Sequence, residues 1–127
     1  MLVIDDEPGI TDLLASYCEG RDWQVTQINN STSLDAALSK KTIDLVLCDL
    51  KMPGLTGIEV LRHLRREFPA LASRFVLMTG DAPDPSDPAS AEIAGVPLLL
   101  KPFSLSRLAE TIAELRAAPA GAREHTV

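Results

Sequence analysis

Residues 45–54 read LVLCDLKMPG, an apolar run that ends at Asp49 and is broken by the Pro53-Gly54 pair. A nearly continuous apolar run is typical of a strand that is covered on both faces of a sheet. A carboxylate beside such a core costs free energy unless another group pairs with it. Asp49 therefore either caps the turn that follows, or is a carboxylate whose surroundings the rest of the chain controls.

Four other short apolar runs alternate with segments whose apolar residues recur at helical spacing. Five strands that alternate with helices predict an α/β domain with a parallel sheet, right-handed crossovers and helices on both faces. Pro97 suits the fifth strand best if that strand lies at the edge of the sheet. The predicted strands are residues 1–5, 23–28, 43–49, 74–79 and 96–100, and the predicted helices begin near Pro8, Ser31 or Ser33, Gly57, Pro88 and Ser104.

The stretch between the fourth and fifth strands, GDAPDPSDPAS (residues 80–90), is the least regular part of the chain. Its three prolines exclude a helix until Asp87 can cap one with Pro88 at its first position. We therefore expect a shortened fourth helix at about residues 88–94.

Length and composition predict a single globular domain over residues 1–118, followed by a flexible tail or linker at 119–127. The net charge of -6 argues against direct binding to nucleic acid. No apolar run reaches the roughly 18 residues of a membrane span, and acids stand where a signal peptide needs apolar residues. We expect a cytoplasmic protein that does not contact membranes. Cys18 and Cys48 lack metal-ligand spacing and are predicted to be buried free thiols.

Four of the five predicted strands end in polar residues that can carry chemistry. The carboxyl ends of parallel strands meet at one edge of the sheet, where sites of open α/β proteins form. The sequence therefore predicts that acids, a hydroxyl and an ammonium group converge at this edge. These residues are Asp5, Asp6, Asp49, Thr79 and Lys101.

Three carboxylates at one edge repel one another, and burial raises their pKa values. A hard divalent cation removes this conflict, since Mg²⁺ prefers oxygen ligands and keeps several waters. We expect Asp6 and Asp49 to bind Mg²⁺ directly, Asp5 to bind it through a water, and the backbone carbonyl of Lys51 to complete the protein's share.

A carboxylate whose charge is partly neutralised can attack phosphorus and form an aspartyl phosphate. Phosphoryl transfer needs alignment and compensation of charge on the equatorial oxygens. The sequence thus predicts Asp49 as a phosphoacceptor, assisted by Mg²⁺, the Lys101 ammonium and the Thr79 hydroxyl.

Four motifs together resemble the receiver domain of bacterial two-component response regulators and hybrid histidine kinases. They are VIDDE (3–7), LCDLKMPGLTG (47–57), LMTG (77–80) and LLLKPF (98–103), in that family's order and approximate spacing. The resemblance implies a flavodoxin-like fold with strand order 2-1-3-4-5. It also implies transfer of a phosphoryl group to Asp49 from a histidine of a sensor kinase or histidine phosphotransfer protein.

The resemblance further implies a cis peptide bond between Lys101 and Pro102 and a conformational switch around Thr79. Leu98 occupies the switch position where the family often has an aromatic residue. The kinase is expected to dock near the first helix, and the contact candidates are Gly9, Ile10 and Thr11. The domain is either free-standing or part of a hybrid kinase, and its oligomeric state is left open.

Two other functions remain open from the sequence. A phosphohydrolase of the haloacid dehalogenase type would use Asp5 as nucleophile and Glu7 as its acid partner, but this leaves Asp49 unexplained. An interaction module would keep the fold without phosphorylation, an option that Leu98 and the proline-rich loop at 82–88 allow. The leading prediction is a signalling domain that phosphorylates itself and slowly dephosphorylates itself, rather than an enzyme.

Overall fold

The structure is a computed structural model that describes residues 1–5, 7–21, 23–28, 33–40, 43–52, 54–82 and 84–117. Its strands, in chain order, are β1 (Leu2–Ile4), β2 (Thr26–Ile28), β3 (Val46–Asp49), β4 (Lys51–Met52), β5 (Leu55–Thr56), β6 (Phe75–Thr79) and β7 (Leu98–Leu100). Its helices are α1 (Pro8–Cys18), α2 (Leu34–Lys40), α3 (Gly57–Glu67), α4 (Pro69–Ala72) and α5 (Leu105–Ala117).

Five strands form a parallel sheet in the order β2-β1-β3-β6-β7. Counted within this sheet alone, the order is 2-1-3-4-5, which confirms the predicted flavodoxin-like arrangement. The apolar stretch that predicted the sheet forms its centre, because β3 lies between β1 and β6 and all four of its residues are buried. Pro97 directly precedes the edge strand β7, as expected.

Residues that alternate along the strands pack on opposite faces of the sheet. On one face they form a cluster with α1 and α5, which we call the α1/α5 cluster, and Leu47 of β3 belongs to it. On the other face they form a cluster with α2 and α3, the α2/α3 cluster, which contains Val46 and Cys48. The predicted helical layers on both faces are therefore present.

Local capping sets where two of these helices begin. The Thr56 hydroxyl accepts a hydrogen bond from the Glu59 amide (3.2 Å) at the start of α3. The Ser104 hydroxyl accepts one from the Arg107 amide (3.1 Å) before α5, as the sequence predicts. Both caps satisfy backbone donors that the first turn of a helix leaves without partners.

The short helix predicted at residues 88–94, before the fifth strand of the sheet, is present but spans fewer residues than predicted. It is a 3₁₀ helix over Pro88–Ala91, and the Asp87 carboxylate caps it by accepting from the Ala89 amide (3.0 Å). Gly95 has a positive φ of 83° and ends the segment.

Several local features were not predicted. They are the one-turn helix α4 and the antiparallel pair β4–β5 beside Asp49. Ser31 lies outside the described residues, and α2 begins at Leu34, just after the alternative start at Ser33. The predicted tail at 119–127 also lies outside the described residues, so the domain boundary stays a prediction.

Both cysteines are free thiols, but only Cys48 is buried, whereas Cys18 is partly exposed. The prediction of two buried thiols is therefore wrong for Cys18, which packs at the border of the α1/α5 cluster. In the described part of the chain, no helix has both the length and the apolar character needed to cross a bilayer.

Candidate functional site

The carboxyl ends of three strands bring two acids and one lysine into direct contact. The Lys101 ammonium, which follows β7, donates to Asp5 Oδ2 at 2.8 Å and to Asp49 Oδ2 at 3.2 Å. Asp5 follows β1 and is fully buried, and Asp49 ends β3 and is also buried. The predicted convergence of these three residues is thus what the geometry shows.

A third acid, Glu7, joins this group, although the leading prediction did not include it and only the hydrolase alternative used it. Its Oε1 accepts from Lys101 Nζ at 2.9 Å. Asp5, Glu7 and Asp49 each place a carboxylate oxygen so that these oxygens all lie within 4.8 Å of one another. The available signal was the third acid of VIDDE, which stands directly before Pro8 and the start of α1.

Backbone hydrogen bonds fix the two buried acids in place. Asp5 Oδ1 accepts from the Glu7 amide at 2.9 Å, and the Asp5 amide donates to the Ile28 carbonyl at 3.2 Å. Asp49 Oδ1 accepts from the Lys51 amide at 3.3 Å. Each carboxylate therefore has one oxygen held by the backbone and the other facing Lys101.

Burial and charge shift the pKa values of the two central groups in informative directions. Burial raises the pKa of Asp49, and the charge of Asp5 adds to this, although the Lys51 amide and the Lys101 ammonium partly offset both. Burial alone would lower the pKa of Lys101. Its hydrogen bonds to Asp5 and Glu7 outweigh that effect and raise its pKa well above the usual range. Lys101 therefore remains a cation, and Asp49 is held in a site that disfavours its negative charge.

Thr79 lies at the end of β6, where its side chain is buried. Its hydroxyl accepts from the Asp81 amide at 3.3 Å, and its carbonyl accepts from the Lys101 amide at 2.7 Å. Thr79, Asp49 and Lys101 line a common cleft of about 710 Å³, together with Glu7, Gly9, Ile10, Leu13, Lys51, Gly80, Asp81, Pro102 and Phe103. The predicted hydroxyl, acid and ammonium group therefore share one open space.

The remaining predicted residues fall in different places. Asp6 lies outside the described residues. Lys51 lines the cleft from β4. Leu98 is half-buried on the α2/α3 side and lines a separate pocket of about 260 Å³. The peptide bond between Lys101 and Pro102 is cis, as the resemblance implies.

Comparisons with known proteins agree with this geometry. Residues 1–113 match the family model of the response regulator receiver domain. The chain is 30% identical over 117 residues to the probable transcriptional regulatory protein TcrX of Mycobacterium tuberculosis, covering 92% of this chain and 48% of that protein. It thus spans half or less of the length of the first curated relatives it matches.

Solved structures give the same result. A response regulator receiver domain protein from Clostridium thermocellum is 30% identical, with a TM-score of 0.71 and 90% of each chain covered. The response regulator TrrA of Thermotoga maritima, in complex with Mg²⁺-BeF, is 27% identical, with a TM-score of 0.72 and coverage of 90% of this chain and 96% of that one. On these grounds the chain belongs to the response regulator receiver domain family.

Proposed function

We propose that this receiver domain accepts a phosphoryl group on Asp49 and thereby relays a two-component signal. The observation that carries the proposal is the approach of the Lys101 ammonium to the Asp49 carboxylate at 3.2 Å, in a cleft that Thr79 also lines. The donor would be a phosphohistidine of a sensor histidine kinase or of a histidine phosphotransfer protein. No observation favours either alternative function, and the hydrolase would leave the contact between Asp49 and Lys101 unexplained.

The residues at this edge fit a divalent cation. Asp5, Glu7 and Asp49 offer hard carboxylate oxygens, and among the described residues all three share the one ammonium group of Lys101 as their ion-pair partner. This donor set suits Mg²⁺, which prefers oxygen ligands. Mg²⁺ would be held by Asp5, Asp49, Asp6 and the Lys51 carbonyl, the predicted ligand set. When bound, it neutralises charge on the acids and on the phosphoryl oxygens.

The chain's own groups divide the transfer step between them. A carboxylate oxygen of Asp49 forms the new bond to phosphorus, while the bond from phosphorus to the histidine nitrogen of the donor breaks and that nitrogen takes the electron pair. Lys101 compensates negative charge on the phosphoryl oxygens. Within the described residues the Thr79 hydroxyl only accepts a hydrogen bond, from Asp81, so its proton is available to a phosphoryl oxygen.

The proposed switch involves Thr79 and Leu98. Thr79 would move toward the phosphoryl group, and the pocket beside Leu98 gives that side chain space in which to repack. Ile93 and Val96 line the same pocket. The proposal therefore couples phosphorylation to the segment between β6 and β7 as a shift between two populated states.

The kinase would approach the open side of the cleft. Gly9, an exposed residue among the predicted contacts, lines the cleft from α1, so a partner that delivers phosphate to Asp49 would pass over it. Ile10 also lines the cleft, but it was predicted to be exposed and is buried in the α1/α5 cluster. Loss of the phosphoryl group by slow hydrolysis would return the domain to its resting state.

Intact-mass measurement with Mg²⁺ and acetyl phosphate tests this function. We expect the gain of one phosphoryl group, which Asp49→Asn abolishes and which Asp44→Asn leaves unchanged. Asp44 is a matched control because it is an exposed acid just before β3. Absence of any gain with the wild-type protein would support the interaction module. Repeated turnover of an aryl phosphate with phosphate carried on Asp5 would support the hydrolase.

A further inference from the structure

Beside the acids, a chain of two side-chain hydrogen bonds links α1, β2 and the carbonyl of Asp5. The Thr11 hydroxyl donates to Gln27 Oε1 at 2.6 Å. The amide nitrogen of Gln27, Nε2, donates to the backbone carbonyl of Asp5 at 2.9 Å. No part of the proposed phosphoryl transfer uses Thr11 or Gln27.

The two hydrogen bonds together fix which way the Gln27 carboxamide is oriented. Gln27 can donate to the Asp5 carbonyl only if its carboxamide oxygen faces Thr11, and the hydroxyl of Thr11 supplies the donor that this oxygen needs. Gln27 lies in the edge strand β2, opposite Val3, and its side chain reaches along the sheet to the end of β1. Its orientation is therefore set by a residue on a different element, α1.

The Asp5 carbonyl is a sensitive point for the site. It belongs to the peptide group that leads into Asp6, and the carboxylate of the same residue contacts Lys101 at 2.8 Å and the Glu7 amide at 2.9 Å. A rotation of this peptide group would redirect the backbone of Asp5 and, with it, the Asp5 carboxylate. Groups that orient metal ligands in this indirect way alter metal affinity when they are replaced.

We propose that Gln27 is a positioning residue for the cation site, and that Thr11 holds it in its working orientation. This inference rests on the proposed function, since it concerns the Mg²⁺ that would assist phosphorylation of Asp49. Gln27 is exposed and Thr11 is partly exposed. Hydrogen bonds in such positions add little to global stability because water replaces them readily. Their effect falls instead on the direction of the Asp5 peptide group.

The test is calorimetric titration of Mg²⁺ into the full chain, paired with phosphorylation rates by acetyl phosphate over a range of Mg²⁺ concentrations. Gln27→Met removes both hydrogen bonds with an uncharged side chain of similar length. It should raise the Mg²⁺ dissociation constant about tenfold, the lower end of what the loss of such an orienting group costs. The phosphorylation rate at saturating Mg²⁺ should stay within about twofold of wild type, because the transferring groups themselves are intact.

Thr11→Val should weaken Mg²⁺ binding about two- to threefold, since it removes only the group that orients Gln27. Thr11→Ser keeps the hydroxyl and should restore wild-type affinity. The double variant Thr11→Val with Gln27→Met should bind Mg²⁺ no more weakly than Gln27→Met alone, because both changes act through one carbonyl. Gln24→Met, an identical change at an exposed glutamine outside this hydrogen-bond chain, is the control.

The possible outcomes distinguish a failure of the role proposed for Gln27 from a failure of the proposed phosphorylation of Asp49. Equal Mg²⁺ affinity for Gln27→Met, Gln24→Met and wild type, with normal phosphorylation, overturns the inference alone. A wild-type chain that neither binds Mg²⁺ nor gains phosphate overturns the proposed function and this inference with it. If Gln27→Met fails to fold, equal Mg²⁺ affinity of the Thr11→Val and Thr11→Ser variants still overturns the inference.

Discussion

The two faces of the sheet are covered unequally. On one face, α1 and α5 contact each other and bury Leu14, Leu108 and Ile112 almost completely. On the other face, α2 and α3 cover the centre, but a 3₁₀ turn takes the place of a full helix beside β7. Leu100 at the end of β7 is consequently 50% exposed, and Leu98 is only half-buried.

This difference in covering distinguishes the edge that holds the acids and Lys101 from the less covered end of the sheet beside β7. Asp5 and Asp49 lie at the carboxyl edge of the sheet, where backbone amides and the Lys101 ammonium hold their carboxylates. On the α2/α3 face, the end beside β7 is covered least and contains Leu98. The segment that should cover it follows Thr79, the residue proposed to contact phosphate. A region with fewer buried apolar contacts opens and rearranges at lower cost. The proposed reaction site thus lies next to a segment that has fewer buried apolar contacts, the one in which the proposed switch would occur.

Truncation of one leucine on each face tests this comparison most strongly. Leu108→Ala should lower the free energy of unfolding by about 3 kcal/mol, because Leu108 is fully buried and its neighbours cannot close the cavity. Leu98→Ala should cost about 1 kcal/mol, since less apolar surface returns to water. Urea unfolding followed by the fluorescence of Trp23, the single tryptophan, measures both. Equal costs would show that the two faces are covered equally well.

Gly57→Ala sharpens the comparison at a tightly packed point of the α2/α3 face, where the start of α3 meets the end of β3. A Cβ added to Gly57 would lie 2.6 Å from Leu77 Cδ2, 3.0 Å from the Asp49 carbonyl oxygen and 3.0 Å from Leu50 Cα. Two of these contacts are backbone, so the start of α3 must shift. We expect a loss of about 1–3 kcal/mol in unfolding free energy and slower phosphorylation of Asp49.

The control for this change is Gly9→Ala in α1. An added Cβ at Gly9 meets no described atom within 4 Å, so the variant should be neutral or stabilised by less than about 1 kcal/mol. Both variants are compared by urea unfolding, and the phosphorylation rate of Gly57→Ala is compared with that of wild type. A Gly57→Ala protein as stable as wild type would mean that α3 does not pack closely on the end of β3.

The sequence alone predicted the central strand and the convergence of Asp5, Asp49 and Lys101. The apolar run before Asp49 identified the central strand, and the rule that parallel strands end at one edge brought Asp5, Asp49 and Lys101 together. Hydrophobic periodicity and the position of a residue at the end of a strand are local signals, so they can be recognised without knowledge of tertiary contacts.

The segment at residues 88–94 and the place of Glu7 were predicted less well, because both depend on tertiary contacts. Whether residues 88–94 form an α-helix or a 3₁₀ turn depends on Gly95 and on contacts with α3, not on local propensity alone. Glu7 joins the site because a long lysine side chain reaches it from a residue 94 positions away in sequence. No spacing rule encodes that contact.

The third prediction concerns the charge of Asp49, at the carboxyl edge of the sheet, and its effect on stability. Its pKa in the folded protein is raised above the ordinary value of 3.8, so between these two pKa values the folded state binds more protons than the unfolded state. The stability of the metal-free protein should therefore fall as pH rises through that window. Asp49→Asn should remove this contribution and be more stable than wild type at neutral pH in EDTA.

Mg²⁺ should reverse this order, because a cation that binds only the folded wild type stabilises it. Urea unfolding at several pH values, in EDTA and in Mg²⁺, checks both signs, and Asp44→Asn again serves as the control. A wild-type protein that is more stable than Asp49→Asn in EDTA at neutral pH would contradict the idea that this site disfavours a negative charge.

The smallest expected effect concerns the ties that hold the 3₁₀ segment to α3. The Arg62 guanidinium donates two hydrogen bonds to the Glu92 carboxylate, and Arg65 donates to the Glu92 carbonyl at 3.1 Å. Because these groups are exposed, Arg62→Gln should leave global stability nearly unchanged. It should nevertheless speed hydrogen exchange at the amides of Ser90, Glu92 and Val96, which bond within the segment.

Arg66→Gln is the matched control for this prediction, because Arg66 is exposed on the same helix and makes no ion pair within the described residues. Added salt should speed exchange at the same amides in the wild type, since it screens the pair that Arg62 and Glu92 form. If exchange in this segment is already as fast in the wild type as in Arg62→Gln, the ion pair does not hold the turn. Its position would then depend on the packing of Ile93 and Val96 alone, and the end of the sheet beside β7 would be looser than its hydrogen bonds suggest.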